Sequence, residues 1–263
     1  FALIADLYGP DERGSMMGIV MSATNLGVIV GPSLGGWLYE LGGIRLPFLV
    51  VAAAAALTAV AFLLIRIPDR KAVQAVPMTR VLKHRAIMMC AIVAAAGSAT
   101  YAMLEPVLPL VLESRFRLGP ARIGLMFGAA AVVSAIVHPV YGRLSDRWGG
   151  HRLMVAGLVA GALVLPTLNV PTDWRFMTVS MVIAFAALGL IVTPSLTYMA
   201  EASSSAGLGS FGVVYGLYNV AWGIGLLIGP SLGGLMLQEL GFQVLTLSWS
   251  VGLLFTALLT RRA

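Results

Sequence analysis

The chain has 263 residues, 59% of them hydrophobic and only 11% charged, with a mean hydropathy of +0.93. Soluble domains carry about 25% charged residues, so this composition excludes an ordinary soluble protein. The net charge of +6 does not indicate nucleic-acid binding, because the basic residues flank apolar segments and are not interleaved with aromatics on polar stretches.

Residues 1–5 read as the tail of a helix. Eight apolar segments follow, each long enough to cross a bilayer, for which ~20 residues suffice: 14–39, 46–65, 86–111, 121–142, 152–170, 174–199, 209–238 and 242–260. Turn-forming residues separate them, as in Pro10-Asp11-Glu12-Arg13, Gly42-Gly43, Leu118-Gly119-Pro120 and Pro171-Thr172-Asp173. The stretch 66–85 is the long polar connection and reads as a linker between two bundles. Cys90, the single cysteine, allows no intrachain disulfide and is expected to be a small core residue.

Eight spans leave flanks on alternating sides. One side collects Arg13, Arg66, Arg70, Lys71, Arg80, Lys83, Arg85, Arg143, Arg147, Arg152, Arg261 and Arg262. The other collects Arg45, Arg115, Arg117, Arg122 and Arg175. The positive-inside rule places the linker and the C-terminus in the cytoplasm.

A glycine–proline pattern then occurs twice. Gly18, Gly27, Gly31, Pro32, Gly35 and Gly36 are matched by Gly216, Gly225, Gly229, Pro230, Gly233 and Gly234, each copy 198 positions from the other. A half-protein period in so apolar a chain implies duplicated bundles. The second copy lies in the fifth of six spans after the linker, so the first is expected in the fifth span of an earlier six. Residues 1–65 then hold the end of an N-terminal half (the tip of helix four, helices five and six), 66–85 the cytoplasmic linker, and 86–263 helices seven to twelve. Physically, glycines at i, i+4 and i+8 line one helix face and admit a close neighbour, while Pro32 and Pro230 remove a backbone hydrogen bond and bend the helix.

A further motif, Gly142-Arg-Leu-Ser-Asp-Arg-Trp-Gly-Gly-His-Arg152, is expected in the short turn between spans 121–142 and 152–170. Asp146 can accept from a helix N-terminus or pair with Arg147 or Arg152. With Gly142 and Gly149 allowing tight packing, such a cluster could latch one face shut and release it.

These residues resemble the major facilitator superfamily. The loop 142–152 resembles its G-x-L-x-D-R-x-G loop, and the paired glycine helices resemble the antiporter motif of its twelve-helix drug:proton antiporters. Within that family, residues 100–263 resemble the vesicular amine transporters, through Leu104-Glu105-Pro106, Pro194 with Tyr198 and Glu201, and the run Tyr215 to Gly234. The resemblance implies an all-α membrane protein with the major facilitator fold, about eight of an expected twelve helices being present. Two departures stand out. Gly150 replaces the usual basic residue of the loop, leaving His151 and Arg152 to supply charge. Gly189 and Asn219 stand where the amine transporters carry membrane aspartates.

Glu105 is the acidic residue placed well inside an apolar span. A carboxylate in low dielectric is costly and takes up a proton readily, which suits proton coupling or a cationic substrate. Pro106 and Pro109 are expected to break the helix and free carbonyls toward a cavity. Tyr101, Thr193, Tyr198, Tyr215, Asn219 and Trp222 are further candidates for lining that cavity. His138, near the end of its span, ranks behind them, and His84 and His151 read as solvated loop residues.

The expected activity is secondary active transport: proton-coupled efflux of small amphipathic or cationic compounds by alternating access. The alternative is a symporter for a sugar, organic acid or other metabolite. An intramembrane enzyme would need a paired constellation that the spans do not offer, and the moving-carrier motifs disfavour a static pore. No metal or cofactor is implied, the proton gradient supplying the energy. The expected surroundings are the lipid bilayer, a small-molecule substrate and protons, with no nucleic acid. The expected full-length form is a multi-pass monomer in the plasma or inner membrane, and the 263 residues alone are expected to be inactive.

Overall fold

The computed structural model describes residues 1–64, 77–207 and 211–261, apart from the surroundings of residues 25, 28, 29, 32, 33, 36 and 40. The linker's Arg66, Arg70 and Lys71, the terminal Arg262, and the motif residues Pro32 and Gly36 thus lie outside the described positions. The helices are α1 (Ala2–Leu7), α2 (Pro10–Gly42), α3 (Arg45–Leu64), α4 (Met78–Lys83), α5 (Arg85–Phe116), α6 (Pro120–Trp148), α7 (Gly150–Val164), α8 (Trp174–Ser205) and α9 (Phe211–Arg261), with a 3-10 turn at Leu165–Asn169.

The described part of each of the eight apolar segments falls on helix, the end of 152–170 as a 3-10 turn. Six of the described helices are long and apolar enough to cross a membrane. One of them, α9, contains the last two segments, because Gly241 at φ 80° takes a backbone conformation that glycine tolerates and interrupts the helix there. The described part of the expected linker contains the short α4, whose Val81 is fully buried.

Two expectations about local shape are corrected. The turn predicted between 142 and 152 is compressed to one residue: α6 continues to Trp148, α7 starts at Gly150, and Gly149 joins them at φ 86°. Helix propensity and packing carry the chain further than its charges suggested. Likewise α5 runs unbroken from Arg85 to Phe116 through Pro106 and Pro109. A transmembrane proline loses one hydrogen bond, which a packed helix can absorb without ending.

The core lies between α5, α7, α8 and α9, where Met103, Leu104, Leu108, Met154, Leu158, Met177, Met181 and Leu188 are fully buried. Cys90 is buried there, its thiol donating to the Ser195 carbonyl at 3.0 Å. By contrast α3 has no buried residue and packs chiefly on α2 among the described elements. The two repeats meet at equivalent positions: the Tyr215 hydroxyl lies 3.7 Å from Met17 Sδ, residues 198 apart.

The glycine copies are filled in a complementary way. In the second copy, β-carbons added at Gly225, Gly229 and Gly233 would collide with Ser98, Ala99 and Met103 of α5. Ser98 also donates to the Trp222 carbonyl at 2.9 Å. In the first copy, Gly27, Gly31 and Gly35 meet nothing within 4 Å among the described residues. Close helix approach is therefore seen for the second strip, while the first faces open space among the described residues. Conversely, Gly14 and Gly18 pack tightly on α6, while their counterparts Gly212 and Gly216 meet nothing.

Candidate functional site

The residues with recognisable chemistry collect along the contact of α2 with α6 and α8. Asp146, one turn from the end of α6, accepts from two backbone amides of α2: Gly14 N at 2.7 Å to Oδ1 and Ser15 N at 2.8 Å to Oδ2. Both carboxylate oxygens are thus charge-assisted acceptors. Of the partners weighed from the sequence, helix amides are the ones present, and Arg147 and Arg152 are exposed. The approach is possible because Gly142 and Gly14 face each other without side chains, a β-carbon on either striking the other helix's backbone.

Further along the same seam, Pro139 has no N–H, so the carbonyl of Ala135 lacks its helical donor. Ser22 of α2 donates its hydroxyl to that carbonyl. One turn away, Gly18 lies against the carbonyl of His138, where a β-carbon would stand 2.5 Å from the oxygen. Beside the clamp is a cavity of about 450 Å³ whose wall carries Asp11, Glu12, Arg143 and Arg147. The seam is thus small residues and polar bonds, with a charge-lined cavity at its edge.

A second tie lies on the same end of the bundle. Glu201 of α8 accepts from Gly150 N, the first residue of α7, at 3.3 Å. Arg13 stacks over the Phe211 ring at 5.0 Å and reaches Ser204 at 3.4 Å. His151, read as solvated, is instead docked: Nε2 lies 3.0 Å from the Thr260 carbonyl, and the ring sits 5.0 Å from that of Tyr198. His84 is half-buried, its Nδ1 enclosed without a partner among the described residues.

The cavity candidates do not form one cluster. Tyr101 of α5 joins Phe185 of α8 at 5.7 Å between rings, and Phe185 meets Phe127 of α6 at 5.9 Å. Tyr215 is buried, its hydroxyl donating to the Leu196 carbonyl at 2.7 Å. Trp222 stacks on Tyr218 at 6.2 Å, and Tyr218 shares a hydrogen bond with Ser195 at 2.9 Å. Thr193 is buried against His138. Tyr198 lies with His151, well away in sequence from Tyr101. Glu105, inside α5, and Asn219 are both exposed among the described residues.

Sequence reasoning missed Ser22, Phe127, Phe185, Ser195 and Tyr218. Only Ser22 had a signal, since Pro139 announces an orphaned carbonyl needing a donor. No group of three or more His, Cys, Asp or Glu is placed to hold a metal ion among the described residues.

Long apolar helices, two repeats in contact and a polar clamp between them define a multi-pass membrane protein with an internal sequence repeat. The sequence pattern of the Major Facilitator Superfamily matches residues 1–119 and 87–262, and the chain belongs to that superfamily. It is 28% identical over 247 residues to the human MFS-type transporter SLC18B1, covering 89% of this chain and 54% of the relative. It is 28% identical over 262 residues to the human synaptic vesicular amine transporter, covering 97% and 51%. Against the fruit-fly (Drosophila melanogaster) vesicular acetylcholine transporter the identity is 24% over 261 residues, covering 93% and 44%. The chain therefore spans about half the length of the curated relatives it matches. Among solved structures, the human organic anion transporter MFSD10 (TETRAN) superposes with a TM-score of 0.81 at 20% identity, covering 98% of this chain and 66% of that one. These relatives are transporters rather than enzymes.

Proposed function

We propose that the full-length protein is a proton-coupled antiporter that exports small amphipathic amines, drug-like cations included, by rocking two six-helix halves about a central site. The observation that carries this reading is the Asp146 clamp. It joins α2 of one half to α6 of the other through two amide bonds and a glycine contact, a joint that can break and re-form. The amine character is supported by relatives named as amine transporters. Transporters of this kind use the proton gradient and need no cofactor. In this proposal the full chain is a monomer of the plasma or inner membrane with its C-terminus in the cytoplasm, whereas two of the relatives carry vesicular names.

The test is flux into liposomes containing the full-length protein, with an imposed pH gradient and a radiolabelled lipophilic amine. The expected result is saturable accumulation that collapses with the gradient and is competed by lipophilic cations. Competition by organic acids or sugars instead would replace this reading with the symporter.

Twelve-helix symmetry is supported by the complementary glycine strips, each filled where the other is open. Gly225→Val should destabilise the full carrier by about 1–3 kcal/mol through overpacking against α5. Gly27→Val should do the same, because the symmetry sets another helix of the N-terminal half against it in the full-length carrier. Detergent melting of both variants checks this, and a silent Gly27→Val would remove the symmetry.

A further inference from the structure

The end of α6 opposite the Asp146 clamp carries a second group of charges. Arg122 and Asp146 lie about 36 Å apart along that helix, so the group sits at the other face of the membrane. Two turns meet there. Arg115 donates to the Asn169 carbonyl at 2.8 Å, and Arg117 follows it, exposed, in the turn that leads into α6. Arg122 of α6 and Arg175 of α8 both lie over the Trp174 ring, 5.9 and 5.6 Å from its centre. Both are exposed, and neither makes an ion pair among the described residues. Asp173, beside them in sequence, accepts from the Arg175 backbone amide at 2.7 Å. Each arginine stands in the first turn of its helix, where the dipole disfavours a cation and no acidic residue offsets it. Helix stability therefore does not account for them. The surface below is apolar. Val179 and Ile183 follow Arg175 at i+4 and i+8 and are 56% and 50% exposed, with Phe176 beside them at 70%. Phe185, which meets Tyr101 of α5 and Phe127 of α6, lies about 200° around α8 from Ile183. The exposed stripe thus turns away from both neighbours and faces the bilayer.

We propose that Arg122, Trp174 and Arg175 bind the headgroup of an anionic phospholipid, in the leaflet on the far side of the membrane from the Asp146 clamp. Guanidinium forks match phosphate oxygens in pairs and shed water more readily than an ammonium does. An indole at the membrane surface sits at headgroup level, and here it holds two guanidiniums against one ring, within reach of a single headgroup. The phosphodiester supplies the counter-charge that the protein lacks, and the acyl chains lie along Phe176, Val179 and Ile183. A free anion would use the arginines but not the apolar stripe beneath them, which is what assigns the site to a lipid. Four arginines stand there with two carboxylates, Glu113 and Asp173, so an anionic headgroup is favoured over a zwitterionic one, whose ammonium is repelled. Neutralising like charges at two adjacent helix starts stabilises the α6–α8 pair. The lipid is a structural ligand of this half, and the site is independent of what the carrier moves.

The test uses the full-length carrier, delipidated in detergent, and two lipids with the same acyl chains, phosphatidylglycerol and phosphatidylcholine. Bound lipid is counted by native mass spectrometry and its effect is followed by thermal melting. The parent should bind phosphatidylglycerol about tenfold or more tightly than phosphatidylcholine and melt higher in its presence. The double variant Arg122→Gln/Arg175→Gln should lose both the preference and the melting shift. Each single variant should lose part of the preference, so the outcome does not depend on how well the double variant folds. Arg45→Gln removes a charge that the sequence places on the same membrane face, outside this group, and should keep both. Unchanged phosphatidylglycerol binding in the double variant overturns the proposal. Equal loss in Arg45→Gln also overturns it, since that marks general attraction to a positive surface. Inorganic phosphate should neither displace the lipid nor raise the parent's melting temperature. If it does both, the arginines hold a free anion and the lipid assignment falls.

Discussion

An Asp146→Asn carrier should open its α2–α6 seam about thirtyfold more often than the parent. Asparagine retains one acceptor oxygen but loses the charge, and charged hydrogen bonds contribute roughly 1.5–3 kcal/mol each. A loss of about 2 kcal/mol from one of two competing conformations shifts their ratio by about thirtyfold. The amides of Gly14 and Ser15 then compete for a weaker partner, while the glycine contact at Gly142 still brings the helices together. The readout is thiol labelling of a cysteine placed at Met17, which is fully buried on α2 between the α6-facing Gly14 and Gly18, its sulfur 3.7 Å from the Tyr215 hydroxyl of α9. Cys90 is the chain's sole cysteine and is buried, so its background is low. Labelling of Met17→Cys should accelerate in the Asp146→Asn background. An unchanged rate would show that the clamp does not hold the seam. Gly142→Val should accelerate it further, because its side chain strikes the Gly14 backbone, which cannot move aside within a helix.

The helical layout was readable because its causes are local. Apolar length defined the spans, and glycine, proline and charge marked most ends. The ends that differed did so through packing. Gly149 compresses the predicted turn after Gly142 to one residue, and Pro106 and Pro109 sit within an unbroken α5. Proline reports a missing donor, but whether the helix ends there depends on neighbours that a single segment does not reveal. The repeat was readable for the same reason as the spans, being a pattern along one strand of sequence. Which glycines are filled was not, since Gly225 and Gly27 are identical in their local motif and differ only in what lies opposite.

The site was less legible. Asp146 stood out as a charge in a glycine-rich motif, but its two amide partners lie 131 and 132 positions away. His138 looked like a minor residue near a span end. Its neighbours, Thr193 and Gly189 of α8 and Gly18 of α2, come from two other stretches of chain. Glu105 had the opposite history. Its surroundings in sequence are apolar, yet α5 presents it on an exposed side among the described residues. A helix distributes neighbouring residues over all its faces, so an apolar segment does not imply an apolar environment for each member.

That exposure sharpens what Glu105→Gln should do. If the residue faces the path between the halves, water reaches it in at least one conformation, and its proton can exchange there. The amide keeps the size and removes the charge, so the fold should be unaffected and detergent melting unchanged. Gradient-driven accumulation should fall by about two orders of magnitude if Glu105 carries a coupled proton or the substrate's counter-charge, the scale of a lost proton-transfer group. Counterflow separates the two roles. A coupling carboxylate leaves counterflow intact when replaced, whereas a residue that pairs with the amine loses counterflow together with accumulation. Wild-type accumulation by Glu105→Gln at every pH would remove Glu105 from the mechanism.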